Sequence, residues 1–134
     1  MRFDHLGVVV GELAAGRNFL EALGVGGWSE VFEDRGIGVS VQFGVAADGP
    51  CYELIAPLGE NSPVAKALAG GKRILNHVAY RTEDLEADGE RLRAQGCTAT
   101  GVPVAGAAHG GRRVQFWISP LRFMVELIEE EASA

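Results

Sequence analysis

Cysteine, aromatic side chains and positive charge are all scarce in this chain. Cys51 and Cys97 are the only cysteines in 134 residues, which fits reduced, buried thiols in a cytoplasmic protein and not a disulfide framework. Lys and Arg number 12 against 18 Asp and Glu, a net charge of -6. Phosphate neutralisation needs clustered cations, so nucleic acid is not an expected partner. No apolar run approaches the ~18 to 20 residues that span a bilayer, and the mean hydropathy is only +0.09, so no membrane partner is expected either. Met1-Arg2-Phe3-Asp4-His5 lacks the basic and apolar regions of a signal peptide, which points to a cytoplasmic location. Aromatics make up 7%. Glycine is abundant by contrast, with 19 residues, and implies many tight turns and many short strands. A chain of this length buries roughly two-thirds of its unfolded surface, so neither metal nor disulfide is required merely to hold it together.

The chain repeats itself. Placing residue n beside residue n + 72 sets Phe3-Asp4-His5-Leu6-Gly7-Val8-Val9 against Leu75-Asn76-His77-Val78-Ala79-Tyr80-Arg81. Glu12-Leu13 falls on Asp84-Leu85, Leu20 on Leu92, Ala22 on Ala94 and Gly24 on Gly96. With one residue of drift, Cys51-Tyr52-Glu53-Leu54-Ile55 matches Met124-Val125-Glu126-Leu127-Ile128. His5 thus precedes Glu53 by 48 residues and His77 precedes Glu126 by 49. One matched histidine would mean little; His, helix and Glu in the same order twice mark a duplication.

Each half reads β-α-β-β-β. Residues 4–10 and 75–81 are short and apolar on both faces, as strands packed on two sides are. Residues 12–23 and 83–95 carry helix formers and end at Gly24 and Gly96, where a left-handed cap is sterically free. Thr82 is the predicted cap of the second helix, with Glu83 and Asp84 in its first turn. Three strands follow in each half, over about 28–33, 37–44 and 50–56, then about 98–104, 112–118 and 123–129. Between the halves, Ser62 as cap and Pro63 at the first position start a short connector helix that ends at Gly70-Gly71. The expectation is one domain, 1–134, of module 1 (about 3–56), a connector (about 57–74) and module 2 (about 75–130), its tail fraying into solvent.

Strand alternation places His5 with Phe3, Gly7 and Val9, and His77 with Leu75 and Ala79. Glu53 is flanked on its face by Cys51 and Ile55, Glu126 by Met124 and Ile128. Four ionisable groups therefore stand in apolar strands where each needs compensation. For one alone, a single salt bridge would suffice. At symmetric positions, two modules about a pseudo-twofold axis would bring His5, Glu53, His77 and Glu126 to one point. Two imidazoles and two carboxylates suit a divalent ion such as cobalt, manganese, nickel, zinc or iron, with bonds of ~2.0 to 2.2 Å. Cysteine is absent from the set, which disfavours a purely structural zinc.

These residues resemble the vicinal oxygen chelate superfamily of glyoxalase I, extradiol dioxygenases, bleomycin-resistance proteins and methylmalonyl-CoA epimerases, from residue 3 to about 130. The resemblance implies an α+β fold in which two tandem βαβββ modules form a cupped, eight-stranded mixed sheet around a metal site, with ligands at His5, Glu53, His77 and Glu126. The epimerase branch is the most similar, through Asp4-His5-Leu6-Gly7-Val8-Val9-Val10, Asn61-Ser62-Pro63-Val64-Ala65-Lys66 and Asn76-His77-Val78-Ala79-Tyr80. Pro103-Val104-Ala105-Gly106-Ala107, Gly110, Val114-Gln115-Phe116 and Pro120 add to it. The chain differs where epimerases carry a second His before the ligand His (here Asn76) and a glutamine ligand (here Glu53). Their catalytic base position falls on Asp34, with Glu33 beside it, and Ser119-Pro120-Leu121-Arg122-Phe123 is a shortened loop.

The resemblance implies a divalent-metal-dependent epimerase acting through an enolate on an acyl thioester such as methylmalonyl-CoA. One acid, Glu126, and another, Asp34 or Glu33, would exchange the proton on either side of the substrate. Glu53 equally suits a glyoxalase I-like lyase using a glutathione-type thioester, and a metal-free small-molecule-binding resistance protein is the third class. An extradiol dioxygenase fits less well, because a fourth ligand would crowd oxygen. A homodimer is implied by the superfamily. His109, in a glycine-rich loop, reads as a mobile rim contact or an exposed side chain. Arg112 and Arg113, with Lys72 and Arg73, read as solvated edge charges or as contacts to an acyl-CoA phosphate or carboxylate.

Overall fold

The computed structural model describes residues 1–70 and 76–131. The chain divides into two compact units, His5–Asn76 and a second that joins Met1–Asp4 to His77–Ala134. Strand β1 (Arg2–Val9) contributes to both, its residues from His5 onward lying in the first. The first unit continues through α1 (Leu13–Glu21), β2 (Val25–Gly26), β3 (Phe32–Asp34), β4 (Val39–Ala46), β5 (Cys51–Pro57) and α2 (Pro63–Ala69). β1 runs parallel to β5 with Gly7 opposite Glu53, β5 is antiparallel to β4, and β2 and β3 both pair with β4.

The second unit repeats this pattern with β6 (His77–Thr82), α3 (Leu85–Ala94), β7 (Thr98–Ala99), β8 (Val104–Ala105), β9 (Arg113–Ile118) and β10 (Met124–Glu129). β6 is parallel to β10, β10 antiparallel to β9, and β7 and β8 both pair with β9. Mixed strands with three helices give the expected α+β, glyoxalase-like class. The strand count differs. The described residues hold ten strands and not eight: the edge strand expected over 98–104 is broken in two, and in place of one over 28–33 there are two short ones, Val25–Gly26 and Phe32–Asp34. Between those two lies Ser29, whose Oγ accepts the Phe43 N–H at 3.0 Å in place of a backbone carbonyl.

Helices cover one face of each sheet. In the first unit Leu20, Val25 and Leu54 are buried together, with Val8, Val10 and Leu13 packed on them. In the second, Leu85, Cys97, Trp117, Val125 and Leu127 do the same. Helix ends follow the sequence only in part. Gly24 and Gly96 adopt φ of 89° and 91°, as their places after the helices predict. Ser62 caps α2 through the N–H groups of Val64 and Ala65. The cap of α3 is Asp84, not Thr82. Thr82 sits two residues earlier, where its hydroxyl accepts the Asp84 N–H and donates to Asp88. Neither cysteine is in a disulfide, and Cys51 is only half-buried. Gly71, Leu75 and the end of the tail lie outside the described residues.

The tryptophans fill corresponding space by different routes. Gly44 pairs with Tyr52 on β5 as Trp117 pairs with Val125 on β10, so the two occupy equivalent strand positions. At Gly44 the ring of Trp28 arrives from the preceding loop, and an added Cβ would meet its Cζ3 at 2.5 Å. In the second unit Trp117 fills the space itself, and α3 presents Gly89 to it, where a Cβ would meet Cζ2 at 2.8 Å.

Candidate functional site

The face of each sheet turned away from its helices carries the predicted polar residues. On β1 and β5, Val8 and Leu54 join the helix-side core. Alternation therefore sends His5 and Glu53 to the other face. His5 is 0% and Glu53 5% exposed, and His5 Nε2 lies 3.6 Å from Glu53 Oε1. On β6 and β10, Val78 and Leu127 face the helix, leaving His77 and Glu126 opposite. They are 4% and 3% exposed, with Nε2 and Oε1 3.4 Å apart. Each unit thus brings its own His and Glu together in a dry, apolar setting where an unneutralised carboxylate would be costly.

These separations bear on what the pairs can hold. They exceed the ~2.7–3.2 Å of an N–H···O hydrogen bond. They are near the ~3.0–3.5 Å that divides two donors bonded at ~2.0–2.2 Å to one cation. Imidazole nitrogen and carboxylate oxygen are both ligands of borderline and hard divalent ions. The donor types of the two buried pairs, His5 with Glu53 and His77 with Glu126, fit a divalent metal.

An aromatic wall stands beside each histidine. The Phe43 ring meets His5 edge-on at 5.6 Å, and Phe116 meets His77 at 5.4 Å. Phe43 is paired across the ladder with Glu53, and Phe116 with Glu126. The two phenylalanines are thus repeat equivalents, separated by the same 73 residues as the two glutamates. The residue-by-residue reading missed them, although that shared offset is visible in the sequence. Each ring packs edge-on against an imidazole and covers part of its surface.

The acidic pair at the end of β3 divides. Phe32 and Asp34 lie opposite Val41 and Val39, and Phe32 touches the Phe43 ring at 6.4 Å. Asp34 therefore shares the face of His5 and Glu53. Its Oδ1 accepts the Ile37 N–H at 3.1 Å, closing the turn. Glu33 alternates to the other side, where it is exposed and 3.2 Å from Arg35. The pair is a hairpin end in which only Asp34 is aimed with the site residues.

His109 differs from the sequence reading: it is neither exposed nor a loose rim. Its side chain is 8% exposed and its Nε2 lies 3.8 Å from Glu126 Oε2. Arg113 is tied to Glu129 and, at 3.0 Å, to Glu86, while Arg112 is exposed. Lys72 and Arg73 lie outside the described residues. Asn76, where epimerases have a second histidine, accepts the Val9 N–H on its Oδ1 at 2.9 Å.

Residues 4–116 match the glyoxalase/bleomycin resistance protein/dioxygenase superfamily, and the chain belongs to it. Within that class, several of the proteins it resembles are methylmalonyl-CoA epimerases. The chain is 33% identical over 140 residues to the ethylmalonyl-CoA/methylmalonyl-CoA epimerase of Cereibacter sphaeroides, covering 97% of this chain and 96% of that one. The crystal structure of methylmalonyl-CoA epimerase from Mycobacterium tuberculosis superposes with a TM-score of 0.74 at 27% identity, over 98% of this chain and 89% of that one. A variant of the Streptomyces coelicolor methylmalonyl-CoA epimerase, solved with 2-nitronate-propionyl-CoA, gives 0.70 at 25% identity over 98% and 99% of the two chains. No helix among the described residues is long and apolar enough to cross a membrane.

Proposed function

We propose that the two His–Glu pairs share one divalent ion and that the protein is a metal-dependent epimerase of 2-alkylmalonyl thioesters such as methylmalonyl-CoA. The observation that carries this reading is the duplicated buried pair. Neither His5 with Glu53 nor His77 with Glu126 supplies enough donors alone, and both present the same atoms on matching faces. The epimerase relative at 33% identity supplies the substrate class. Cobalt, manganese, nickel, zinc and iron all suit the donors. When bound, such an ion acts as a Lewis acid that stabilises negative charge on a thioester or carboxylate oxygen.

The chain's own residues handle the proton. Asp34, held at the end of β3 by the Ile37 N–H, takes the proton from the acidic C2 of the substrate. Glu126 returns one to the opposite side, and the reverse reaction exchanges their roles. Phe43 and Phe116 exclude water from the imidazoles while this happens. The outward, exposed position of Glu33 supports Asp34 as the acid of the pair.

The test is isotopic. Metal-loaded protein incubated with methylmalonyl-CoA in deuterium oxide should place deuterium at C2 and interconvert the two epimers, and His77→Ala should stop both. Metal-loaded wild type that exchanges no C2 proton overturns the reading. Glu53, a carboxylate where epimerases carry glutamine, favours a second reading as a glyoxalase I-like lyase. Thioester formation from methylglyoxal and glutathione distinguishes it. Protein purified without chelator and free of metal would instead support the non-catalytic binding class.

A further inference from the structure

We propose that His109 is a positioning residue that fixes the carboxylate of Glu126, holding Oε2 so that Oε1 alone is presented alongside His77. The inference rests on the metal-site reading given above and goes beyond it by assigning a residue that none of the four ligand positions includes. The carboxylate of Glu126 stands between two imidazoles. Oε1 is 3.4 Å from His77 Nε2, and Oε2 is 3.8 Å from His109 Nε2, a polar contact longer than a hydrogen bond. A carboxylate with a second imidazole at its outer oxygen has less freedom to rotate and chelate an ion through both oxygens.

The loop that carries His109 is built to hold it inward. After β8 the chain makes one helical turn, Ala107–His109, and returns to β9. The Gly106 N–H donates to the Arg112 carbonyl at 2.9 Å, closing the loop at its neck. Inside it, the His109 and Gly111 N–H groups both donate to the Gly106 carbonyl, at 3.1 and 3.0 Å. Gly110 and Gly111 take φ of 64° and 79°, conformations that side chains resist. At Gly106 a Cβ would meet Val114 Cγ1 at 3.1 Å and His109 Cδ2 at 3.2 Å. Glycine at that position leaves the space in which the imidazole lies. A solvent-facing histidine would need none of these features.

Groups that orient a metal ligand typically contribute 10–100-fold in affinity or activity. Removing the imidazole should therefore weaken metal binding and change how Glu126 binds, while the fold stays intact. The experiment uses the full chain with cobalt(II) as the probe, in three variants. His109→Ala removes the group, His109→Leu keeps its bulk without polarity, and His109→Gln keeps both bulk and a polar end. Chelator competition should show cobalt affinity falling about 10–100-fold in the alanine and leucine variants and recovering in His109→Gln. The visible cobalt absorption bands should change in intensity in the first two and return in the third. Circular dichroism and thermal unfolding check that each variant is folded.

If wild type binds cobalt but the leucine variant keeps its affinity and spectrum, the inference fails and the metal-site reading stands. Equal losses in His109→Leu and His109→Gln also overturn it, because bulk or loop geometry would then be the cause. Wild type that binds no cobalt overturns both readings.

Discussion

Replacing Gly44 by alanine sets two effects of opposite sign against each other. Glycine inside a strand is worse than alanine by roughly 0.5–1 kcal/mol, so backbone freedom alone predicts a gain. The new Cβ, however, would lie 2.5, 2.7 and 2.8 Å from Cζ3, Cε3 and Cη2 of Trp28. Ordinary carbon contacts are ~3.5–4.0 Å, so the indole must retreat by about 1 Å. Its Nε1 donates to Glu21 at 3.0 Å, and the ring lies against the core of Leu20, Val25 and Leu54. Overpacking of this kind costs about 1–3 kcal/mol, which exceeds the backbone gain. A net loss of about 1–2 kcal/mol is expected. The assay is urea unfolding of wild type, Gly44→Ala, Trp28→Ala and the double variant. Once the indole is gone, alanine at 44 should be neutral or stabilising, giving a coupling of about 1–3 kcal/mol between the sites. A stabilising single Gly44→Ala, or one whose penalty persists without Trp28, refutes the steric account.

The remaining expectations concern the site and its borders. Asp34→Asn should slow C2 proton exchange by about 10²–10⁴-fold, whereas Glu33→Gln should leave it within a few-fold; equal effects would remove Asp34 from its role. Chelator treatment should lower the melting temperature of wild type, since an ion held at 100 times its Kd adds about 2.7 kcal/mol, and should not change that of His77→Ala. Glu129 is held below the ordinary carboxylate range, chiefly by its hydrogen bond from Arg113. A lowered folded pKa gives stability present above the unfolded value and lost as pH falls through the folded one. Arg113→Gln should therefore flatten the acid limb of a stability-versus-pH curve, with the change confined to acidic pH.

The central strands were legible because burial on both faces leaves a continuous apolar run, as in Leu6-Gly7-Val8-Val9 and Leu54-Ile55-Ala56. His and Glu stood out against that background, and the duplication gave them meaning. Edge strands were less legible. Their pairing is interrupted by side chains such as Ser29, which accepts a ladder N–H from Phe43, and propensity carries no signal for that substitution. Thr82 and Asp84 compete for one cap, and both can accept backbone N–H groups. His109 was the hardest to place, since its inward course depends on hydrogen bonds that close a glycine-rich loop. Which face Glu33 and Asp34 each present depends on a strand register, which the sequence leaves open.

The division of β1 has a bearing on how the protein can be cut. Arg2 reaches Glu130 at 2.8 Å, the Phe3 ring meets Tyr80, and Asp4 accepts from Arg81 at 2.6 Å. Yet the next residue, His5, belongs with Glu53. A gene split at the connector would give an N-terminal product carrying three residues the other product relies on, and a C-terminal product missing them. Fragment complementation should therefore succeed better when residues 1–4 are grafted ahead of His77. A circular permutant opened near Asn76 would keep those residues tethered by joining the old termini. The duplicated halves are similar in pattern, but as pieces of chain they are not interchangeable.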